Sequence, residues 1–223
     1  MNRDKSIIIA CRYLKNHLDA AQLKMGTDIP VIELDTKLHR QPEKMRARIM
    51  REIGALPPEY GTILVAMAFC GGSWREIISD RRIVITRMDD CISILLTVTD
   101  DWVSNRKKTG CMYLTDNRND GMTIPEIYRN YTMLYGERRG KRVFQMMFDS
   151  YNSIGIIDSD VYDSRDREML DFAKQSAELI NGSVEHVPGS NMVLEKLVSG
   201  NWDEQFLILE PGTVMTEFDL WEN

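Results

Sequence analysis

Short apolar runs that alternate with helical patterns constrain the fold of this chain more than any other feature. Within residues 62–96, one apolar run covers Thr62–Phe69 and a second, β-branched run covers Arg82–Thr86. Both are bounded by turn residues, which is typical of a central strand buried on both faces of a parallel sheet. Ligands of open α/β sheets bind outside the carboxyl ends of such strands. The residues that follow these two runs are therefore the first candidates for a functional site.

The same alternation extends over the whole sequence and predicts the fold class. Further strand-like runs are Ser6–Ala10, Ile29–Leu34, Cys111–Thr115, Ile154–Asp158, Val184–Val187 and Phe206–Leu209. Helical patterns separate most of these runs, and an alternation of strands and helices produces parallel sheets with right-handed crossovers. We therefore expect an α/β protein with two Rossmann-like lobes of mainly parallel sheets and a cleft at the carboxyl ends of the strands.

The change in composition near residue 121 predicts a division into two lobes. Residues 1–121 would form an N-terminal α/β lobe that carries the cysteines, and residues 122–223 a C-terminal α/β lobe. Thr123 and Glu126 have the spacing of a capping box, with Pro125 at an early helical position. They would open a long helical region that reaches about Tyr151 and bridges the two lobes.

Composition and charge exclude several classes of protein. The chain has 28 Lys and Arg against 34 Asp and Glu, a net charge of −6, which argues against the basic face of a nucleic-acid-binding protein. Its apolar runs are too short to span a bilayer, and the N-terminus does not resemble a secretory signal. We expect a cytoplasmic protein without membrane partners, whose four cysteines are thiols or metal ligands rather than disulfides.

Three cysteines and a histidine follow predicted strands. Cys11, Cys70 and Cys91 each come after a strand, and His39 lies in the loop after a fourth. A parallel sheet would bring all four to one edge, where a Cys₃His set suits zinc or an iron–sulfur cluster. Cys111 is an alternative ligand, although it begins a strand and would lie at the opposite edge. The cysteines could instead be small buried apolar residues or reactive thiols without a metal.

A second set of residues could bind an anionic ligand or cofactor. The turn Gly71-Gly72-Ser73 is compatible with a helix N-terminus whose backbone N–H groups bind an anion. Arg87 could hold a carboxylate or phosphate, and Asp90 could orient the arginine or a histidine. The alternatives are a plain tight turn, a helix cap at Asp90 and a surface ion pair.

Several of these residues form a pattern that resembles a known family. The pattern consists of Cys11, Leu38-His39, Cys70-Gly71, Arg87-x-x-Asp90-Cys91, Tyr113-Leu114-Thr115, Gly200-x-Trp202 and Pro211-Gly212. It resembles the family catalogued as domain of unknown function 1638, over nearly the whole chain. The resemblance implies a soluble prokaryotic protein, often from anaerobes and methanogens, with some members encoded near corrinoid-dependent methyltransferases. The resemblance does not imply any established activity.

Three functions follow from these observations. The first is a cytoplasmic metal- or cofactor-binding protein of corrinoid-dependent one-carbon metabolism, whose partners are a small anionic molecule and a corrinoid methyltransferase protein. The second is a metal-free thiol enzyme, similar to a racemase or a lyase, with cysteine as base or nucleophile. The third is a small-ligand binding module without catalysis.

Overall fold

The computed structural model of the protein describes residues 5–117 and 123–216, which form eight strands and seven α-helices. The strands are β1 (Lys5–Cys11), β2 (Val31–Leu34), β3 (Tyr60–Ala66), β4 (Arg82–Thr86), β5 (Cys111–Leu114), β6 (Ser153–Asp158), β7 (Ser183–Pro188) and β8 (Phe206–Leu209). The helices are α1 (Lys15–Met25), α2 (Pro42–Ala55), α3 (Cys91–Leu95), α4 (Ile124–Tyr135), α5 (Glu137–Phe148), α6 (Arg167–Leu179) and α7 (Met192–Ser199).

The chain divides into two compact units. The first comprises Met1–Arg106 together with Ser190–Asn223, and the second comprises Lys107–Gly189. The boundary predicted near residue 121 falls within residues 118–122, which lie outside the described residues. The first unit is discontinuous because the last helix and the last strand of the chain return to its sheet.

The first unit is built on a five-stranded sheet in the order β2-β1-β3-β4-β8. β2, β1, β3 and β4 are parallel to one another. The last five residues of β1 are buried, and this strand is a continuous apolar run because a central parallel strand is covered on both faces. The connection from β1 leads to β2 on one side, and the next strand, β3, lies on the other side. This sheet therefore has its topological switch point between β1 and β3.

Strand β8 corrects the expectation that the last strand belongs to the second lobe. It pairs antiparallel with β4, and Ile83 lies opposite Leu209. This pairing satisfies the backbone groups along an edge of β4 that would otherwise be open.

The connection between β3 and β4 also differs from the expectation, because no helix forms after the Gly-Gly turn. Residues 70–76 form consecutive turns. Cys70, Gly71 and Gly72 have φ angles of 44°, 67° and 83°, all in the left-handed region. Three such residues in a row are incompatible with the start of a right-handed helix.

The second unit is built on a parallel three-stranded sheet in the order β5-β6-β7. The predicted capping box at Thr123 and Glu126 is present at the start of α4. Helix α6 is capped by Asp166, which accepts hydrogen bonds from the backbone N–H groups of Glu168 and Met169. The buried apolar core of this unit includes Leu114, Ile124, Phe144, Phe148, Ile154, Ile156, Met169, Ala173, Ala177 and Ile180.

The long helical region predicted up to Tyr151 is two helices rather than one. Gly136, with a φ of 77°, separates α4 from α5. Four basic residues at positions 138–142 lie within α5. The two helices pack closely, and the ring of Tyr128 meets that of Phe144 edge to face with 5.2 Å between centroids.

These observations confirm the predicted α/β Rossmann-like fold with two mainly parallel sheets. Among the helices of residues 5–117 and 123–216, none combines the length and the apolar character needed to cross a membrane.

Arg81 joins the end of α2 to the sheet of the first unit, and this arrangement leads to a stability prediction. Its buried guanidinium donates hydrogen bonds to the backbone oxygens of Leu56 at 2.8 Å, Tyr60 at 2.9 Å and Ile53 at 3.3 Å. A lysine ammonium does not reproduce this planar fork, so Arg81→Lys is expected to lower the free energy of unfolding by about 1–3 kcal/mol in urea titrations.

Arg82→Lys is the matched control for this prediction. The neighbouring Arg82 is exposed and pairs with Glu210 at 3.0 Å, so its replacement is expected to change the free energy of unfolding by less than about 1 kcal/mol. Equal effects of the two substitutions would show that the fork does not stabilise the fold.

Candidate functional site

The structure brings together the four residues that were predicted to converge. The Sγ atom of Cys11 lies 3.2 Å from Nε2 of His39, and the Sγ atoms of Cys70 and Cys91 lie 3.8 Å apart. The thiols of Cys11 and Cys91 are near enough to shift each other's pKa. The side chains of Cys70, Cys91, Cys11 and His39 thus follow one another as a continuous series of neighbours, which we call the thiol–imidazole cluster.

The elements of the first sheet explain why the cluster forms at this edge. Cys11 is the last residue of β1, and His39 lies in a short 3₁₀ helix, Thr36–Arg40, that follows β2. Asp35 caps this short helix by accepting a hydrogen bond from the backbone N–H of Lys37. Cys70 follows β3, so the cluster lies beside the switch point between β1 and β3, where open α/β sheets bind their ligands.

Two backbone hydrogen bonds hold Cys70 close to Cys91. The N–H of Phe69 donates to the oxygen of Met88 at 3.1 Å, and the N–H of Cys70 donates to the oxygen of Asp89 at 2.9 Å. These bonds continue the association of β3 and β4 beyond the ends of both strands. Cys91 then begins α3, which Asp90 caps by accepting a hydrogen bond from the N–H of Ser93.

The backbone of Cys70 is strained. Its φ of 44° lies in the left-handed region, which L-residues with a Cβ adopt at a cost of about 1–3 kcal/mol. Such strain persists only where the surrounding contacts determine the conformation, and it is concentrated at functional sites. The strain singles out Cys70 within the cluster.

Burial and mutual contact keep the inner thiols protonated. The hydrogen bond with Cys91 and then burial raise the pKa of Cys11 well above its ordinary value of 9.0, although contact with His39 acts in the opposite direction. For Cys91, the hydrogen bond with Cys11 lowers the pKa. The hydrogen bond with Cys70 and burial outweigh it and hold that pKa well above 9.0. The cluster therefore carries thiols, not thiolates, at these two positions near neutral pH.

Access to the cluster differs among the three cysteines. Cys11 is 0% exposed, Cys91 is 5% exposed and Cys70 is 8% exposed. A ligand or reagent would therefore approach the cluster from the side of Cys70 or of His39, which is half-buried.

The cluster is a set of donor atoms rather than a formed metal site. Over the two described ranges of the chain, no group of three or more His, Cys, Asp or Glu side chains is arranged so that it could hold a metal ion. The four donors follow one another as a chain, so they would have to be rearranged around a common point to bind one.

Comparison with known proteins identifies the family. The family described as proteins of unknown function, DUF1638, matches residues 33–198, well over half of the chain. The chain is a member of the DUF1638 family. Comparisons with curated proteins and with solved structures found no match. The matched region of this DUF1638 protein contains His39, Cys70 and Cys91, whereas Cys11 precedes it.

The fourth cysteine of the DUF1638 protein belongs to the other unit. Cys111 is the first residue of β5, as the sequence predicted, but β5 is a strand of the second sheet.

The turn predicted to bind an anion uses its backbone N–H groups internally. The N–H groups of Gly72 and Ser73 both donate to the oxygen of Phe69 at 3.1 Å, and the hydroxyl of Ser73 donates to the same oxygen. These groups stabilise the turn, and no helix N-terminus is present there. The proposed anion-binding role of Gly71, Gly72 and Ser73 therefore finds no support in their backbone donors.

Arg87 is largely buried and makes contacts within the protein. Its guanidinium lies 4.0 Å from the centroid of the Trp102 ring and donates to the backbone oxygen of Glu204 at 3.3 Å. The indole N–H of Trp102 in turn donates to the backbone oxygen of Arg87 at 2.8 Å. Ligand binding by Arg87 stays a prediction, as does the orienting role of Asp90. The stacking on Trp102 was missed, because a single tryptophan in a polar loop does not indicate its partner.

Proposed function

We propose that this DUF1638 protein binds a soft metal ion or an iron–sulfur cluster through Cys11, His39, Cys70 and Cys91. The observation that carries the proposal is the continuous chain of these four side chains beside the switch point of the first sheet. Three sulfurs and one imidazole are a donor set that zinc prefers. Oxygen-preferring ions such as magnesium would not select these ligands.

One distance is compatible with ligation of zinc. Sulfur ligands at about 2.3 Å from a tetrahedral zinc ion stand about 3.8 Å from each other. The Sγ atoms of Cys70 and Cys91 are 3.8 Å apart. This pair already has the separation that two zinc ligands need, so the adjustment required for binding falls mainly on Cys11 and His39.

The family resemblance supports a role for such a centre in one-carbon metabolism. We place the protein in the cytoplasm of a prokaryote, as a partner of corrinoid methyltransferase proteins and of a small anionic molecule. A bound zinc ion would supply a Lewis acid, and an acceptor thiol that displaced one of the four ligands would have its pKa lowered by it. The protein's own contribution is burial, which excludes water from Cys11 and Cys91, and the imidazole of His39, which lies beside Cys11 as the fourth ligand.

A metal-free thiol enzyme is the second candidate, because one contact favours it. The 3.2 Å approach of Cys11 to His39 resembles the pairing of a nucleophile with its base. However, the hydrogen bond with Cys91 and burial raise the pKa of Cys11, which opposes formation of the reactive thiolate. The metal centre therefore accounts better for a set of three sulfurs.

Metal analysis of protein purified without oxygen tests the proposal. The wild type is expected to contain about one zinc ion per chain, or to show the absorption band of an iron–sulfur cluster. Cys70→Ser is expected to lose the metal or the band, whereas Cys111→Ser, which replaces a buried cysteine of the other unit, is expected to keep it. Thermal unfolding of each variant establishes that it is folded.

Two outcomes would contradict the metal centre. A folded wild type without metal and with four titratable thiols would remove it. Modification of a single cysteine by an alkylating reagent, in metal-free protein, would favour the thiol enzyme instead.

A further inference from the structure

We propose that a cleft in the first unit binds the oxyanion group, phosphate or carboxylate, of a small acid next to the thiol–imidazole cluster. The cleft has a volume of about 480 Å³ and lies between residues 41–46 and the turn at residues 71–75. Sites for small molecules have volumes of roughly 300–1,000 Å³, so its size suits a metabolite. Anion binding by the cleft does not depend on the proposed function. Only the role given to the neighbouring thiol–imidazole cluster rests on it.

The charge of the cleft lining points to an anion. Three cationic side chains, Lys44, Arg46 and Arg75, line it together with one carboxylate, Glu43. A second carboxylate, Glu76, pairs with Arg46 at 3.3 Å and with Arg75 at 3.9 Å. Among the side chains that line the cleft, the cations outnumber the carboxylate three to one, in a chain whose net charge is −6. A concave positive surface on an acidic protein attracts anionic ligands.

Chain connectivity places the cleft beside the cluster. Gly71 lines the cleft and directly follows Cys70, the most exposed of the three cluster cysteines. The opposite wall begins at Gln41, two residues after His39. If the oxyanion of a small acid binds in the cleft, the rest of that acid would therefore lie close to Cys70 and His39, where the cluster is accessible.

The contacts of the three cations suggest different roles for them. Arg46 donates to the backbone oxygen of Arg75 at 3.2 Å, so it also joins α2 to the turn. Lys44 and Arg75 are therefore the better residues to replace, since their loss leaves that connection in place. Glu76 competes with a bound anion for Arg75, so its neutralisation should strengthen binding.

Calorimetric titration of the full-length protein with inorganic phosphate, and separately with citrate, tests the inference at low ionic strength. The wild type is expected to bind at least one of the two, and the one that binds identifies the oxyanion. Lys44→Gln combined with Arg75→Gln is expected to weaken binding by about tenfold or more, because two charge-assisted contacts are lost. Glu76→Gln is expected to strengthen it, and Arg82→Gln, which removes an exposed arginine paired with Glu210, is expected to leave it unchanged.

The inference fails if neither anion binds the wild type, or if the double variant binds as tightly as the wild type. These results are independent of metal content. Anion binding by a wild-type protein that contains no metal would support the anion site in the cleft and contradict the metal centre. Bound metal without anion binding would support the metal centre and contradict the anion site.

Discussion

The zinc affinity of the wild-type protein is expected to rise by at least about a hundredfold for each pH unit between about pH 6 and pH 8. Contact with neighbouring thiols and burial hold the pKa values of Cys11 and Cys91 well above 9.0, so both are protonated throughout this range. Zinc binds thiolates, so each thiol must release its proton, and each proton contributes about a factor of ten per pH unit. The affinity therefore increases as the pH rises.

Competition with a chromophoric chelator at several pH values measures this dependence. Cys11→Ala removes one of these protons and is expected to weaken the dependence by about a factor of ten per pH unit. Cys111→Ser is the control, since its cysteine lies in the other unit and the dependence should be unchanged. A zinc affinity that does not vary with pH would show that these thiols are not the ligands.

The convergence of the cluster could be predicted because it depends only on the direction of the strands. Once β1, β2, β3 and β4 were expected to be parallel, the residues after each strand had to lie at the same edge of the sheet. The prediction did not require any side-chain distance. For that reason it succeeded for Cys11, His39, Cys70 and Cys91, while the order of their contacts became visible only in the structure.

The turn after β3 could not be predicted in the same way. Gly-Gly followed by a helical pattern fits a helix start, and cysteine seldom adopts a positive φ. The left-handed conformation of Cys70 depends on the hydrogen bond from its N–H to Asp89, a residue on the next strand connection. Local sequence carries no information about this distant partner.

The place of the last strand could not be predicted for a related reason. The sequence suggested one boundary near residue 121, since the pattern of strands and helices resumes after it. The pairing of β8 with β4 joins residues that are more than a hundred positions apart. Such a pairing leaves no periodic signal, because an antiparallel edge strand and a parallel strand of another sheet have similar apolar runs.

The cations that line the cleft also could not be grouped from the sequence. Lys44 and Arg46 lie in a helix rich in charged residues, and Arg75 lies in a turn some thirty positions further along. Each is exposed or half-exposed in the structure, and none of them stands out in the sequence. Only the fold shows that they face the same cleft next to Cys70.

Gly140→Ala is expected to lower the free energy of unfolding of the second unit by about 1–3 kcal/mol, because it overpacks the contact between two helices. Gly140 lies within α5, and a Cβ at this position would be 2.4 Å from the backbone oxygen of Tyr131 and 2.6 Å from Cα of Thr132. Both atoms belong to the backbone of α4, so no side-chain rotation can relieve the overlap. The two helices would have to separate around the Phe144 contact with Tyr128.

Gly54→Ala provides a control of the same chemical type with the opposite expected sign. Gly54 also lies in a helix, but a Cβ there would meet no atom within 4 Å. Alanine loses less conformational entropy than glycine when a helix forms, so this substitution should stabilise the first unit by about 0.5–1 kcal/mol. Thermal and urea unfolding of both variants measure the difference. If Gly140→Ala stabilised the protein as Gly54→Ala does, helix propensity would outweigh packing at this position, and the close approach of α4 and α5 would be wrong.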